Sequence, residues 1–178
     1  DQKKKVSMKI ALSQLNYIIG DIEGNTLKII GEITKAKQAK ADIIVFSELA
    51  ICGYPPKDLL DYPSFIKRCE TGLDQICQET NGIAVLVGGP AWSGLEKGKK
   101  LYNSAFFYAD KKLVRRIDKT LLPTYDIFDE HRYFQPNEVF ECVEYKGERI
   151  AVTICEDLWN LDEEKLYTVT PMDKLYGQ

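Results

Sequence analysis

Short apolar runs alternate with longer amphipathic stretches along the first half of this chain, and that alternation limits its fold more than any other feature. Lys9–Leu15 (KIALSQL), Ile43–Phe46 and Ile83–Val87 read as strands, the last two apolar throughout, as strands buried on both faces are. Two helices lie between them. The first starts near Asn25, a good N-cap, and keeps Leu27, Ile30, Ile33 and Ala36 on one face. The second runs from about Ser64 to Thr80, with Phe65, Cys69, Leu73 and Ile76 or Cys77 on one stripe and Asn81-Gly82 closing it. Gly88-Gly89-Pro90 ends the third strand. Strands Leu101–Tyr108 and Leu113–Asp118 follow across a turn at Asp110-Lys111, then Val139–Tyr145 and Arg149–Ile154 across Lys146-Gly147. Strand–helix repeats followed by paired strands define an α/β domain with helices covering a mixed sheet.

The 178 residues suffice for one domain with a sizeable core, placed here at residues 8–178. Asp1–Ser7 is polar and lysine-rich and reads as a disordered lead-in or expression remnant. A net charge of -3 and a pI near 5.4 argue against a nucleic-acid-binding face. No apolar run reaches the length of a membrane span, and no signal peptide precedes Met8. The five cysteines form no CxxC pair and no metal-ligand spacing; their odd number points to reduced thiols in a cytoplasmic protein. His131 is the single histidine, so a histidine-rich metal site is impossible and a Cys-His hydrolase would have to use that residue.

Arg149–Asn160 (RIAVTICEDLWN) concentrates the chemistry. The run Ile150–Ile154 reads as a core strand that stops abruptly at Cys155, with Glu156 and Asp157 next. A small nucleophile where a core strand must turn sharply is how hydrolases present an attacking atom. A buried structural cysteine is the other reading, and spacing alone does not separate the two. Glu48 and Lys119 also sit just past the carboxyl ends of predicted strands, where open α/β sheets gather their ligand sites. Taken singly, Glu48 reads as an exposed loop carboxylate and Lys119 as a solvated edge-strand lysine. Together with Cys155 they fill the three roles of acyl transfer: a thiolate, a base and a cation for the tetrahedral oxyanion. Lys119 would favour the Cys155 thiolate, provided Glu48 can hold the proton. The segment Thr120–Asn137 lacks periodicity, and such length inside a compact domain is usually functional.

FSELAICGY around Glu48, DKTLLPTYDIFDEHRYF around Lys119 and TICEDLW around Cys155 resemble the three signature blocks of the nitrilase (carbon–nitrogen hydrolase) superfamily. The forms CGYPPKDLL, LPTYDIFDE and CEDLW are similar more narrowly to the amino-terminal glutaminase domains of the glutamine-dependent NAD synthetase family. The resemblance implies a nitrilase-like α-β-β-α sandwich with mixed sheets, incomplete at its carboxyl-terminal side. It implies a glutaminase in which Cys155 is the nucleophile, Glu48 the general base and Lys119 the oxyanion partner. Glu130 matches the family's second glutamate, which holds lysine and substrate in place. Tyr54, Tyr125, Glu156 and Trp159 match positions lining the glutamine pocket, although buried tyrosine and tryptophan are also common core residues.

Some parts of the family are not found in the chain. The serine- and arginine-bearing segment expected to grip the substrate carboxylate is missing, and Leu161–Gln178 continues the pattern only briefly. The synthetase domain with its SGG-type pyrophosphate loop is absent, so ATP and magnesium belong to that domain and no cofactor is expected here. The chain therefore reads as part of a larger enzyme, weakly active or inactive alone. Its expected partners are glutamine, its own synthetase domain and further copies of itself in a homo-oligomer. A free-standing amidase acting on another small carboxamide and a non-catalytic oligomerisation scaffold are the competing readings.

Overall fold

The computed structural model describes residues 7–161 and 165–178. Most of the expected lead-in, Asp1–Val6, and Asp162–Glu164 of the last segment lie outside the described residues. Strands β1 (Ile10–Leu12), β2 (Ile43–Val45), β3 (Ala84–Trp92), β4 (Leu101–Ala109) and β5 (Lys112–Asp118) form one sheet in that order. The first three run parallel and the last two join antiparallel. Crossovers between parallel strands need helices, and α1 (Ile22–Gln38) and α2 (Pro63–Gln78) supply them. Both cover one face, packing Ile29, Ile33, Phe65, Cys69, Leu73 and Ile76 onto the sheet.

The opposite face carries Ile43, Ala84, Ala105 and Phe107. Against it packs a ribbon of β6 (Val143–Tyr145) and β7 (Glu148–Ile150), followed by Val152 and Ile154. The mixed α/β class expected from the sequence is what folds. Among the described residues, the ribbon is the only sheet besides the five-stranded one. The turns at Asp110-Lys111 and Lys146-Gly147 have positive φ at both central residues, the backbone that matches the twist of a tight hairpin.

Four expectations need correction. Helix α1 starts one turn earlier than Asn25. Asp21 caps it, its Oδ1 accepting the Gly24 N–H at 3.1 Å, and the added turn buries Ile22. Asn25 is instead a buried tether whose amide donates to the carbonyls of Ile18 and Ile51, while Leu27 faces solvent. Gly88-Gly89-Pro90 does not end β3 but lies inside it, because the whole stretch pairs with β4. By Pro90 the neighbour β2 has ended, and a proline at such an edge loses no ladder bond. Lys9–Leu15 yields only the three-residue β1. Finally, the apolar run Ile150–Ile154 is no central strand. Only Ile150 pairs, and Val152 and Ile154 alone turn inward while Ala151 is exposed. Among the described residues no strand lies alongside to bury its second face.

Candidate active site

Sheet topology brings distant residues to one edge. Since β4 reverses β3 and β5 reverses β4, β5 runs in the direction of β2, and their carboxyl ends share that edge with the start of β4. Glu48 follows β2, Lys119 follows β5, and Asn103 lies near the start of β4. Lys119 is fully buried and donates from Nζ to Glu48 Oε1 at 2.7 Å and to Glu130 Oε1 at 2.9 Å. Glu130 opens the single-turn helix α3 (Glu130–Tyr133) and also accepts the Tyr54 hydroxyl at 2.8 Å on Oε1. Burial alone would lower the Lys119 pKa, but the two carboxylates overturn that and hold it above its usual value. Burial and the neighbouring Glu48 charge push Glu130 up, against the pull of Lys119.

The two glutamates are held differently. Both hydrogen bonds to Glu48 land on Oε1: Lys119 Nζ and the Asn103 amide, the latter at 2.6 Å. Among the described residues Oε2 has no partner. Glu130 is committed on both oxygens, since Asn103 reaches its Oε2 at 3.3 Å. An ammonium has three N–H donors, and Lys119 spends two on these carboxylates. One oxygen of Glu48 and one proton of Lys119 thus remain without a partner among the described residues.

Cys155 has φ 45°, a left-handed backbone that is uncommon for a residue with a Cβ. The sharp turn read from the sequence is real, and it opens a 3-10 turn over Cys155–Leu158. Cys52, Cys69 and Cys77 are buried, whereas Cys155 is exposed. It borders a cleft of about 110 Å³ together with Ser47, Glu48, Gly88, Ser104 and Ile154. The sulfur itself is partly enclosed. Burial and the Glu48 carboxylate push the thiol above its ordinary pKa, and Lys119 only partly offsets them. The thiolate-favouring effect expected of Lys119 is outweighed, because its charge is already answered by two carboxylates. No hydrogen bond joins Sγ to Glu48 or Lys119 among the described residues.

Asp157, passed over in the sequence, ties this turn to the lysine strand. Its Oδ1 accepts the N–H groups of Thr120 and Leu121 at 3.1 and 2.8 Å, and its Oδ2 accepts that of Ile154 at 3.3 Å. Burial lifts its carboxyl to about 6 in spite of those donors. Glu156 is gripped by Tyr125 at 2.9 Å and by Tyr167 at 3.1 Å. Tyr167 was also missed, lying in a segment without motif. Trp159 is 70% exposed and makes no side-chain hydrogen bond among the described residues. His131 stands at the surface while Glu130 turns inward, which leaves the Cys-His reading without geometry. A second cavity of about 230 Å³ lies behind Tyr54 and Glu130, lined also by Pro56, Asp58 and Arg132, and does not reach Cys155.

Close packing fixes the Glu48 loop. A Cβ on Gly88 would stand 2.4 Å from Leu49 N, 2.8 Å from Ser47 O and 2.9 Å from Glu48 C. All three are backbone atoms, which no rotamer change can move aside. Gly88→Ala is therefore expected to cost about 1–3 kcal/mol by overpacking and to displace Glu48. Urea unfolding and a hydrolysis assay on the same preparation check this; unchanged stability and rate would mean the contact is not this tight.

The structure thus gathers a buried lysine between two carboxylates at the sheet edge that also carries an exposed cysteine on a left-handed turn. The chain belongs to the carbon-nitrogen hydrolase family, which it matches over residues 9–164. It is 45% identical over 177 residues to a glutamine-dependent NAD(+) synthetase of Synechocystis sp., covering 95% of this chain and 32% of that protein. Among solved structures, the glutamine-dependent NAD+ synthetase from Acinetobacter baumannii superposes with a TM-score of 0.78 at 38% identity, covering 85% of this chain and 28% of the other. An amidase from Nesterenkonia sp. shares the fold, with a TM-score of 0.72 at 20% identity, covering 85% of this chain and 56% of the amidase. The chain spans less than a third of the length of the curated relatives it matches.

Proposed function

We propose that this chain hydrolyses the side-chain amide of glutamine, as the glutaminase part of a longer glutamine-dependent NAD synthetase. The ammonia would serve the ATP-dependent amidation of deamido-NAD on another domain. The observation that carries the reading is the pair of uncommitted groups, Glu48 Oε2 and the third Lys119 N–H, beside Cys155. Glu48 takes the thiol proton as Sγ attacks the carboxamide carbon. The resulting oxyanion is met by Lys119 and the Glu156 backbone N–H. Its collapse expels ammonia, which receives the proton from Glu48, and leaves a thioester. Water, deprotonated by Glu48, attacks the thioester; glutamate departs and the thiol regains its proton. Glu130 and Tyr54 hold Lys119 in place, while Tyr125, Glu156 and Trp159 form the wall that receives the amino-acid head.

ATP and magnesium are expected to be held by the synthetase domain and not by this chain. The nearest glycine-rich run, Gly88-Gly89-Pro90, is sheet packed against Leu49 and Leu73, and it cannot cradle a pyrophosphate. They are assigned to the synthetase domain. A cytoplasmic location and self-association belong to the same proposal; no helix among the described residues is long and apolar enough to cross a membrane. The free-standing amidase reading is less well supported, because the relatives of high identity carry the synthetase name.

The test is covalent labelling of the longer enzyme with a diazoketone analogue of glutamine, the adduct being located by mass spectrometry. Cys155 should carry the label and glutamine should protect it. Labelling at Cys142, or no protection, would overturn the assignment. The 178-residue chain alone should label weakly, since a serine- and arginine-bearing carboxylate grip is not among the residues described.

A further inference from the structure

Asn103 sits in a largely apolar strand and is 1% exposed. Its neighbours on β4 include the buried Leu101, Ala105, Phe106 and Phe107, while its own side chain meets two carboxylates. The amide does not repay its burial in the ordinary way. Nδ2 donates to Glu48 Oε1 and Glu130 Oε2, but Oδ1 is buried with no hydrogen-bond partner. A buried acceptor left unpaired destabilises a fold. The opposite flip would set Oδ1 against two carboxylates, which is worse. A purely structural residue would satisfy both ends, so the use of Asn103 lies in its donor end.

We infer that Asn103 is a positioning residue for the hydrolytic reaction, a neutral crossbar that pins Glu48 by Oε1 and so presents Oε2 to the Cys155 thiol. The inference rests on the glutaminase reading above. Two carboxylates share a single cation here, and a second cation would compete with the oxyanion duty of Lys119. An amide adds a donor to each carboxylate without adding charge. The same residue holds the lysine's main chain, its carbonyl accepting the Lys119 N–H at 2.8 Å. Without the crossbar, Glu48 could rotate to give Lys119 either oxygen, and one proton would settle more readily on the carboxylate pair. The ionisable groups facing that pair are Lys119 from the end of β5, Tyr54 from the loop after β2 and Cys155 from the 3-10 turn, with Glu156 and Asp157 behind it.

The test compares Asn103→Leu and Asn103→Ser with the parent in the longer enzyme, following glutamate release across pH. Leucine keeps the branched outline, with somewhat more volume, and removes the donor; serine keeps a shorter donor. The expected result for leucine is a kcat lowered about 100-fold, in the range assigned to general base catalysis, with KM within about threefold. The acidic limb of kcat/KM should move to higher pH, and serine should restore part of both changes. Should the leucine variant fail to fold, serine decides by the same two readouts. An unmoved acidic limb, or kcat and KM changing only in step with a lost thermal midpoint, would overturn the inference. Cys155→Ala run alongside separates the two claims: its retained hydrolysis would sink the glutaminase reading, whereas its inactivity beside an unaffected Asn103→Leu sinks only this one.

Discussion

Cys155→Ala is expected to abolish glutamine hydrolysis, a fall on the order of 10⁶-fold by analogy with the loss of other catalytic nucleophiles. Alanine offers no atom to form the thioester, and the remaining donors can only polarise the amide for attack by water. The fold should barely notice. Cys155 is exposed, alanine has the same preference against a left-handed backbone, and surface changes of this kind usually stay within about 0.5 kcal/mol. In the longer enzyme, turnover supplied with free ammonia should survive, because the amidation would occur on a different domain. Measuring glutamine-dependent and ammonia-dependent rates on one preparation decides the matter. Persistence of the first would place the nucleophile elsewhere.

Lys119→Met should produce the largest loss of stability. The ammonium lies buried between Glu48 and Glu130, and removing one member of a buried ionic cluster typically costs about 3–5 kcal/mol. The cost comes less from the lost attraction than from two carboxylates left facing one another with only Asn103 and Tyr54 as donors. The pH dependence has a definite sign. Glu130 is already pushed above its usual value by burial, and loss of the cation pushes it further. A carboxyl raised in the folded state contributes stability below its unfolded value and loses it as pH rises through the folded one. The deficit should thus be largest at neutral pH and shrink towards acid. Urea unfolding at pH 7 and pH 5 tests both size and direction; a variant as stable as the parent at pH 7 would mean that Lys119 is not holding the two glutamates apart. Hydrolysis should fall as well, since in the proposed mechanism the oxyanion would lose its cation.

Different parts of this architecture were legible in the sequence for different reasons. Both helices declared themselves through periodic apolar faces. The hairpin turns showed in local residue choice, and the acid, lysine and thiol stood at the ends of segments that read as strands. What failed to show was whatever depends on a neighbour far along the chain. Gly88-Gly89-Pro90 looks like a strand terminator until β4 lies beside it. Ile150–Ile154 looks like a core strand until no partner for its outer residues is found among those described. Asn103 gives no local hint, because Glu48, 55 residues away, is what makes its amide useful. Asp157 is similar: its bonds to Thr120 and Leu121 reach back 37 and 36 residues. Asn25 misled in the opposite sense, since a good cap residue was also a good buried tether.

The raised thiol of Cys155 has a chemical consequence of its own. A cysteine at the mouth of a cleft meets peroxide and stray electrophiles as readily as substrate, and it is the thiolate that they attack. Burial of the sulfur and the Glu48 charge push its pKa up and so disfavour the thiolate at rest, the form from which sulfenic acid arises. In the proposed mechanism, the same carboxylate that discourages the thiolate would accept its proton when an amide carbon arrives. Under that proposal, burial and one carboxylate would protect the idle thiol, and the same carboxylate would activate it once substrate is bound.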